Sequence, residues 1–297
     1  MMTRSSDFTK NKYAFPLRGK LTDEGINKIE KGKTMKTILV REIKLNFKNF
    51  LIWSISVGLM GLSCILLYQS MEGDMKDMAD MFSNMGAFSD AFGMSTLSIA
   101  TLTGYFATEV GTVHSLGSAM FAAILSIDIL SKEEDKHTGE FLFSLPVSRS
   151  RIVAAKGICI TILLVLFTLI CALFYIAGFI YLKEELPATE FTLFMTRQLL
   201  MNLEIAAMCF GISAISGKSR MGMGLGIALM FYVYDLIGRV VPDLKDYLFI
   251  GPYSYANASE IFSGIEAGVS AFIMAVVVMI IAVLFAFAFY EKRDLAS

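Results

Sequence analysis

Charge is scarce in this sequence. Only 18% of its 297 residues are Asp, Glu, Lys or Arg, while 55% are hydrophobic. Soluble domains carry about 25% charged residues. That shortage moves the chain out of the soluble class and toward the membrane. Net charge is also missing: the formal balance is −1, so nothing marks a polyanion-binding surface, and nucleic acid is not an expected partner. Histidine is nearly absent. With His114 and His137 alone, a multi-histidine metal site is excluded. The four cysteines, Cys64, Cys159, Cys171 and Cys209, each sit in an apolar run, and none forms a CxxC pair. They read as small hydrophobes within helices, not as zinc ligands or a disulfide framework. No repeat of 20–50 residues and no low-complexity tract appears.

What the sequence does have is long apolar runs. A spanning helix needs about 20 mostly apolar residues. Asn49–Met71, Gly157–Leu182 and Ala267–Tyr290 are free of charge at that length. Three further runs carry ionisable residues: Ser98–Leu130 with Glu109, His114 and Asp128; Met195–Ser216 with Arg197 and Glu204; Met221–Val241 with Asp235 and Arg239. A soluble core could hold such segments, but here they alternate with the charge-free spans. The expectation is an all-α polytopic membrane protein with six transmembrane helices. Residues 1–34, with eight Lys/Arg against four Asp/Glu and no apolar core, read as a polar cytoplasmic tail or start-site extension before a second potential start, Met35. Residues 35–297 then form a single six-span domain.

Basic residues in short loops orient such a chain. One set of loops holds Lys132–Lys156, Lys218, Arg220, Lys292 and Arg293; the other holds Lys76, Lys183 and Lys245 among acidic neighbours. The first set is expected in the cytoplasm, together with both termini. Ahead of the first span, Leu39, Ile43, Phe47 and Phe50 share one helical face, apart from Arg41, Lys44 and Lys48. That pattern predicts an N-terminal helix lying in the membrane interface. On the other side, Glu72–Asp90 is acidic and rich in Met, and Pro242–Gly264 is long and aromatic. The second is expected to form short broken helices, which membrane depth allows only under a protein cover.

A stretch ending in GKS, Gly211–Ser219, invites a phosphate-binding reading. It has five residues between its glycines where the phosphate loop has four, and it follows a membrane helix where that loop follows a strand. Lys218 and Arg220 are more simply topogenic anchors. The ionisable residues inside the spans are costly, about 2.5–3.5 kcal/mol each at mid-bilayer on insertion scales, and so should face a bundle interior or cavity. Glu109, His114 and Glu204 are candidates for lining a polar path or holding the bundle together. Asp235 and Arg239, at i and i+4, can pair on one face.

The most charged interior segment is KEEDKHTGEFLFSLPVSRSRIVAAK, Lys132 to Lys156. It begins with Glu133 and Glu134, turns at Thr138–Gly139 and continues through Glu140. Phe141, Leu142 and Leu145 then supply an apolar centre, Pro146 stops the helix, and Ser148–Arg149 starts the turn into the next span. A short helix with an apolar centre inside a charged rim suits a protein interface. This order of acidic cluster, small-residue turn, apolar run and Pro-Val-Ser-Arg, with Lys156 after it, resembles the ABC-2 type permeases of ATP-driven transporters. The terminal FYEKRDLAS is similar to the family's aromatic and basic ending. The likeness extends in topology from Met35 to Leu295, and residue by residue over Glu133–Lys156 and the tail. Thr138–Gly139 departs from the Gly-Thr order of many members.

The resemblance implies a permease subunit with no cofactor of its own, ATP being bound by a partner. It implies cytosolic ABC ATPase subunits, a second permease copy or homologue, and membrane lipid as partners. It also implies that the cytoplasmic helix of the insert is the coupling element seated on the ATPase. Residence in the plasma membrane and export of an amphiphilic substrate follow as expectations. An ion-coupled secondary transporter would show an inverted repeat with broken helices, and an intramembrane enzyme a nucleophile–base pair or paired acids at bilayer depth. The sequence shows neither pattern.

Overall fold

The computed structural model describes residues 23–83, 86, 89, 97–135 and 148–292. Six helices in it are long and apolar enough to cross a membrane. They are α1 (Asp23–Ser83), α2 (Leu102–Ile127), α3 (Arg149–Leu182), α4 (Ala188–Ile215), α5 (Met221–Val240) and α6 (Val269–Lys292). No strand occurs among the described residues. The chain is a multi-pass α-helical membrane protein, as its apolar runs imply.

The helix bounds depart from the apolar runs where charge is compensated. α3 begins at Arg149, well before the first charge-free residue, and carries Lys156 inside it. α1 is one continuous helix of 61 residues. The amphipathic segment before the first span is therefore the same helix as the span, not a separate interfacial one. The face it turns into the bundle is offset from the apolar stripe of Leu39, Ile43, Phe47 and Phe50. Ile38, Glu42 and Phe50 are buried, Leu39 and Ile43 are partly covered, and Phe47 is exposed. At its far end α1 runs through the Met-rich stretch as far as Ser83.

α2 and α4 are the most enclosed spans, and the others pack around them. α1 lies along α3 and α2, α5 lies along α2, and α6 lies mainly along α4. The α1–α3 contact is close because glycines line it. A Cβ at Gly58 would meet the Phe174 ring at 2.4 Å, and one at Gly61 the Tyr175 ring at 2.3 Å. Small residues let helices approach where water supplies no apolar driving force. Phe106 sits in a nest of rings, with the centroids of Tyr175, Phe179, Phe191, Phe194 and Phe262 at 5.5–6.0 Å.

Two local features shape the functional regions. α2 contains a π segment, Phe106–Val110, that places Glu109 on the exposed surface between its buried neighbours. Such single turns of π-helix redirect a side chain at the cost of poorer hydrogen bonds. Between α5 and α6 the chain forms short helical turns at Pro242–Lys245, Leu248–Ile250 and Ala258–Phe262. Tyr253, Tyr255, Ala256 and Ala258 are buried there, so the irregular backbone lies under protein.

Candidate functional site

The charged insert between α2 and α3 is rooted in the bundle at both ends. Its centre, including Thr138, Gly139, Glu140, Phe141, Leu142, Leu145 and Pro146, lies outside the described residues. The first root is a single helical turn, Lys132–Asp135, continued from the end of α2 by a bond from the Lys132 N–H to the Asp128 carbonyl (2.9 Å). From this turn two lysine–carboxylate pairs reach into different helices. Lys132 Nζ pairs with Glu42 of α1. Glu133 receives Lys156 Nζ of α3 at 2.5 Å, and the same ammonium donates to the Ile129 carbonyl. Lys156 is fully buried, Glu133 is 3% exposed and Glu42 is 1% exposed.

A buried ammonium or carboxylate costs several kcal/mol in lost solvation unless a partner compensates it. Every charge in this cluster except Lys132 is withdrawn from solvent, so each holds its partner in place. Glu133 and Lys156, both implied by the resemblance, thus meet directly. Glu42 and Lys132 complete the cluster without having stood out in the sequence. The signal was present: Glu42 is the sole acid between Met35 and Phe50, four residues after buried Ile38 on the same face.

The roots also reach the remaining helices. The Leu130 N–H donates to Ser213 Oγ of α4 at 2.9 Å. Asp128 accepts from Ser219 Oγ (2.5 Å) and from the Arg220 N–H (2.7 Å), which open α5. At the second root, Ser148 has extended backbone and α3 starts at Arg149. Arg149 donates to the Glu291 carbonyl of α6 at 3.1 Å, and Ser150 Oγ bonds the Glu291 carboxylate. Around its two roots the insert is therefore tied to α1, α3, α4, α5 and α6 as well as to α2, from which it grows.

The ionisable residues within the spans fall into separate places. Glu204 is buried on α4 and accepts from Tyr255 Oη at 2.7 Å. Burial in this apolar contact raises the Tyr255 hydroxyl above its usual range, so it is a donor at physiological pH. His114 is buried on α2, with Nδ1 2.9 Å from Tyr175 Oη of α3. Asp235 and Arg239 pair on α5 at 2.8 Å, and Glu260, from the turn before α6, joins the guanidinium at 2.5 Å. Glu109 stands apart from Glu204, on the exposed face of α2. Gln198 on α4 donates to Ser115 Oγ of α2 (2.6 Å) and to the Ala256 carbonyl (2.8 Å), a tie the apolar count did not single out. Among the described residues, no group of His, Cys, Asp and Glu is arranged to hold a metal ion.

Six membrane-length helices, with one insert fastened to all of them, describe a multi-pass membrane protein. The family model of the ABC-2 family transporter protein matches residues 37–295. The chain belongs to that family and is a permease subunit of an ABC transporter, a class that works with ABC ATPase partners. No curated protein matches it.

Proposed function

We propose that this permease exports an amphiphilic substrate such as a peptide, an antibiotic or a lipid-like molecule, driven by ATP that a separate cytosolic subunit binds and hydrolyses. The chain itself holds no nucleotide. The insert and both termini face the cytoplasm, and the protein resides in the plasma membrane. The segment between the two roots, with Phe141, Leu142 and Leu145 as its apolar centre, docks on the ATPase. The observation that carries this reading is the anchoring of the roots. A push on the insert reaches Glu42 on α1 and Lys156 on α3 through paired charges, and α4, α5 and α6 through hydrogen bonds. An element fastened in this way moves spans, whereas a solvated loop would absorb the displacement.

A second permease copy is part of the proposal. Glu109 is exposed within a spanning helix, and a carboxylate is costly against hydrocarbon. A water-filled path or a facing copy relieves that cost. The test of ATPase coupling is co-purification of a P-loop ATPase with the wild type and with Phe141→Asp/Leu145→Asp. Loss of the ATPase from the double variant is expected. Full retention of the ATPase and of transport by that variant would refute the docking assignment.

A further inference from the structure

A cavity of about 250 Å³ opens between α1, the end of α2 and the start of α5, at the same end of the bundle as the insert. Its floor is Trp53, Phe121 and Leu125, and its rim carries Asn49, Asp128 and Asp135. The Trp53 and Phe121 ring centroids are 6.4 Å apart, and Phe121 stacks on Phe167 at 4.9 Å, which fixes the floor. Asn46 at the rim and Trp53 at the floor are both on α1, so the cavity descends roughly 10 Å along the helix axis at 1.5 Å per residue. That depth takes a ligand from the polar surface into the apolar interior.

The charge at the rim has a sign. Lys132 lines it, but its ammonium is matched by Glu42. Asp128 accepts two neutral donors, Ser219 Oγ and the Arg220 N–H, while the Arg220 guanidinium turns to Ser216 Oγ at 2.9 Å. Asp135 is exposed at the end of the root turn. Two carboxylates over an aromatic floor select a positive head on an apolar tail. The geometry points to this cavity as the admission site of the permease for a cationic single-chain amphiphile of the alkylammonium type, with its head at Asp128 and Asp135 and its tail against Trp53 and Phe121.

This inference rests on the export reading for its purpose, but its test needs no ATPase, so a failed co-purification and a failed binding assay are separate results. Trp53 is the only tryptophan in the chain, so its emission reports on the cavity floor alone. The purified protein in phosphatidylcholine vesicles is titrated with a tail-brominated alkyltrimethylammonium and with the tail-brominated alkyl sulfate of equal chain length. The cation is expected to quench Trp53 at a markedly lower concentration than the anion. Asp135→Asn, an exposed change that spares the fold, should weaken the cation about 5-fold, the effect of one surface ion pair at the upper end of its range, and leave the anion unchanged. Asp128→Asn, which keeps an acceptor for the Arg220 N–H, should act in the same direction. Equal quenching by the two amphiphiles, or cation quenching indifferent to both substitutions, overturns the site.

Discussion

Lys156→Met tests whether the insert is fastened by charge. Methionine keeps most of the length and apolar stem of lysine but removes the ammonium. Glu133 would remain 3% exposed without its 2.5 Å partner, and the Ile129 carbonyl would lose a donor. Removing one member of a buried pair costs about 3–5 kcal/mol, because the other charge stays desolvated. At about 2–4 °C per kcal/mol for a chain of this general size, the thermal midpoint should fall on the order of 10 °C. The assay is monodispersity after heating, read by size-exclusion of the detergent-purified protein. Glu133→Leu/Lys156→Met removes both charges and should recover most of the loss, since apolar replacement of a whole buried pair is close to neutral. High salt should leave the wild-type midpoint unaltered, because a buried pair is screened little. The reasoning fails if the single variant melts with the wild type, or if the double variant is no better than the single.

Two other substitutions separate structural from functional polar groups. Tyr255→Phe removes the Tyr255 Oη donor from buried Glu204 and should cost about 1.5–3 kcal/mol, seen as a lower thermal midpoint. Glu109→Gln changes an exposed side chain, so the midpoint should stay within about 0.5 kcal/mol of wild type while transport in vesicles with the partner ATPase falls. Intact transport with a lowered midpoint would make Glu109 a structural residue.

The membrane class and the six spans were legible because long apolar runs have few other uses. The ends of those runs were less so, and for a definite reason. A charge such as Lys156 reads as the edge of a helix until its partner is known, and the partner, Glu133, comes from the far side of a loop. The face that the first helix buries was hidden for the same cause. Apolarity alone groups Leu39, Ile43 and Phe47 as a face for the membrane interface, whereas Glu42 turns into the bundle because Lys132 waits there. The exposure of Glu109 was equally hidden, since a π segment changes the angular register by an amount that no fixed 3.6-residue period contains. Pairing of Asp235 with Arg239 could be anticipated because both lie on one helix; the arrival of Glu260 could not.

The stretch ending in GKS now has a positive explanation. In a phosphate loop, backbone N–H groups at a helix start and a nearby hydroxyl face an anion. Here the same kinds of group, the Arg220 N–H and Ser219 Oγ at the start of α5, also face an anion, but it is the Asp128 carboxylate. A carboxylate at a helix N-terminus is favoured by unsatisfied N–H groups and by the helix dipole. The chain thus fills with its own side chain the seat that sequence likeness offers to a nucleotide. The consequence is mechanical as well as chemical. Asp128 ends α2 directly before the root of the insert, so the bond that occupies the anion seat also ties α5 to the element proposed to receive the ATPase. Displacing the root by even one hydrogen-bond length must either carry the start of α5 with it or expose the N–H groups that Asp128 now covers.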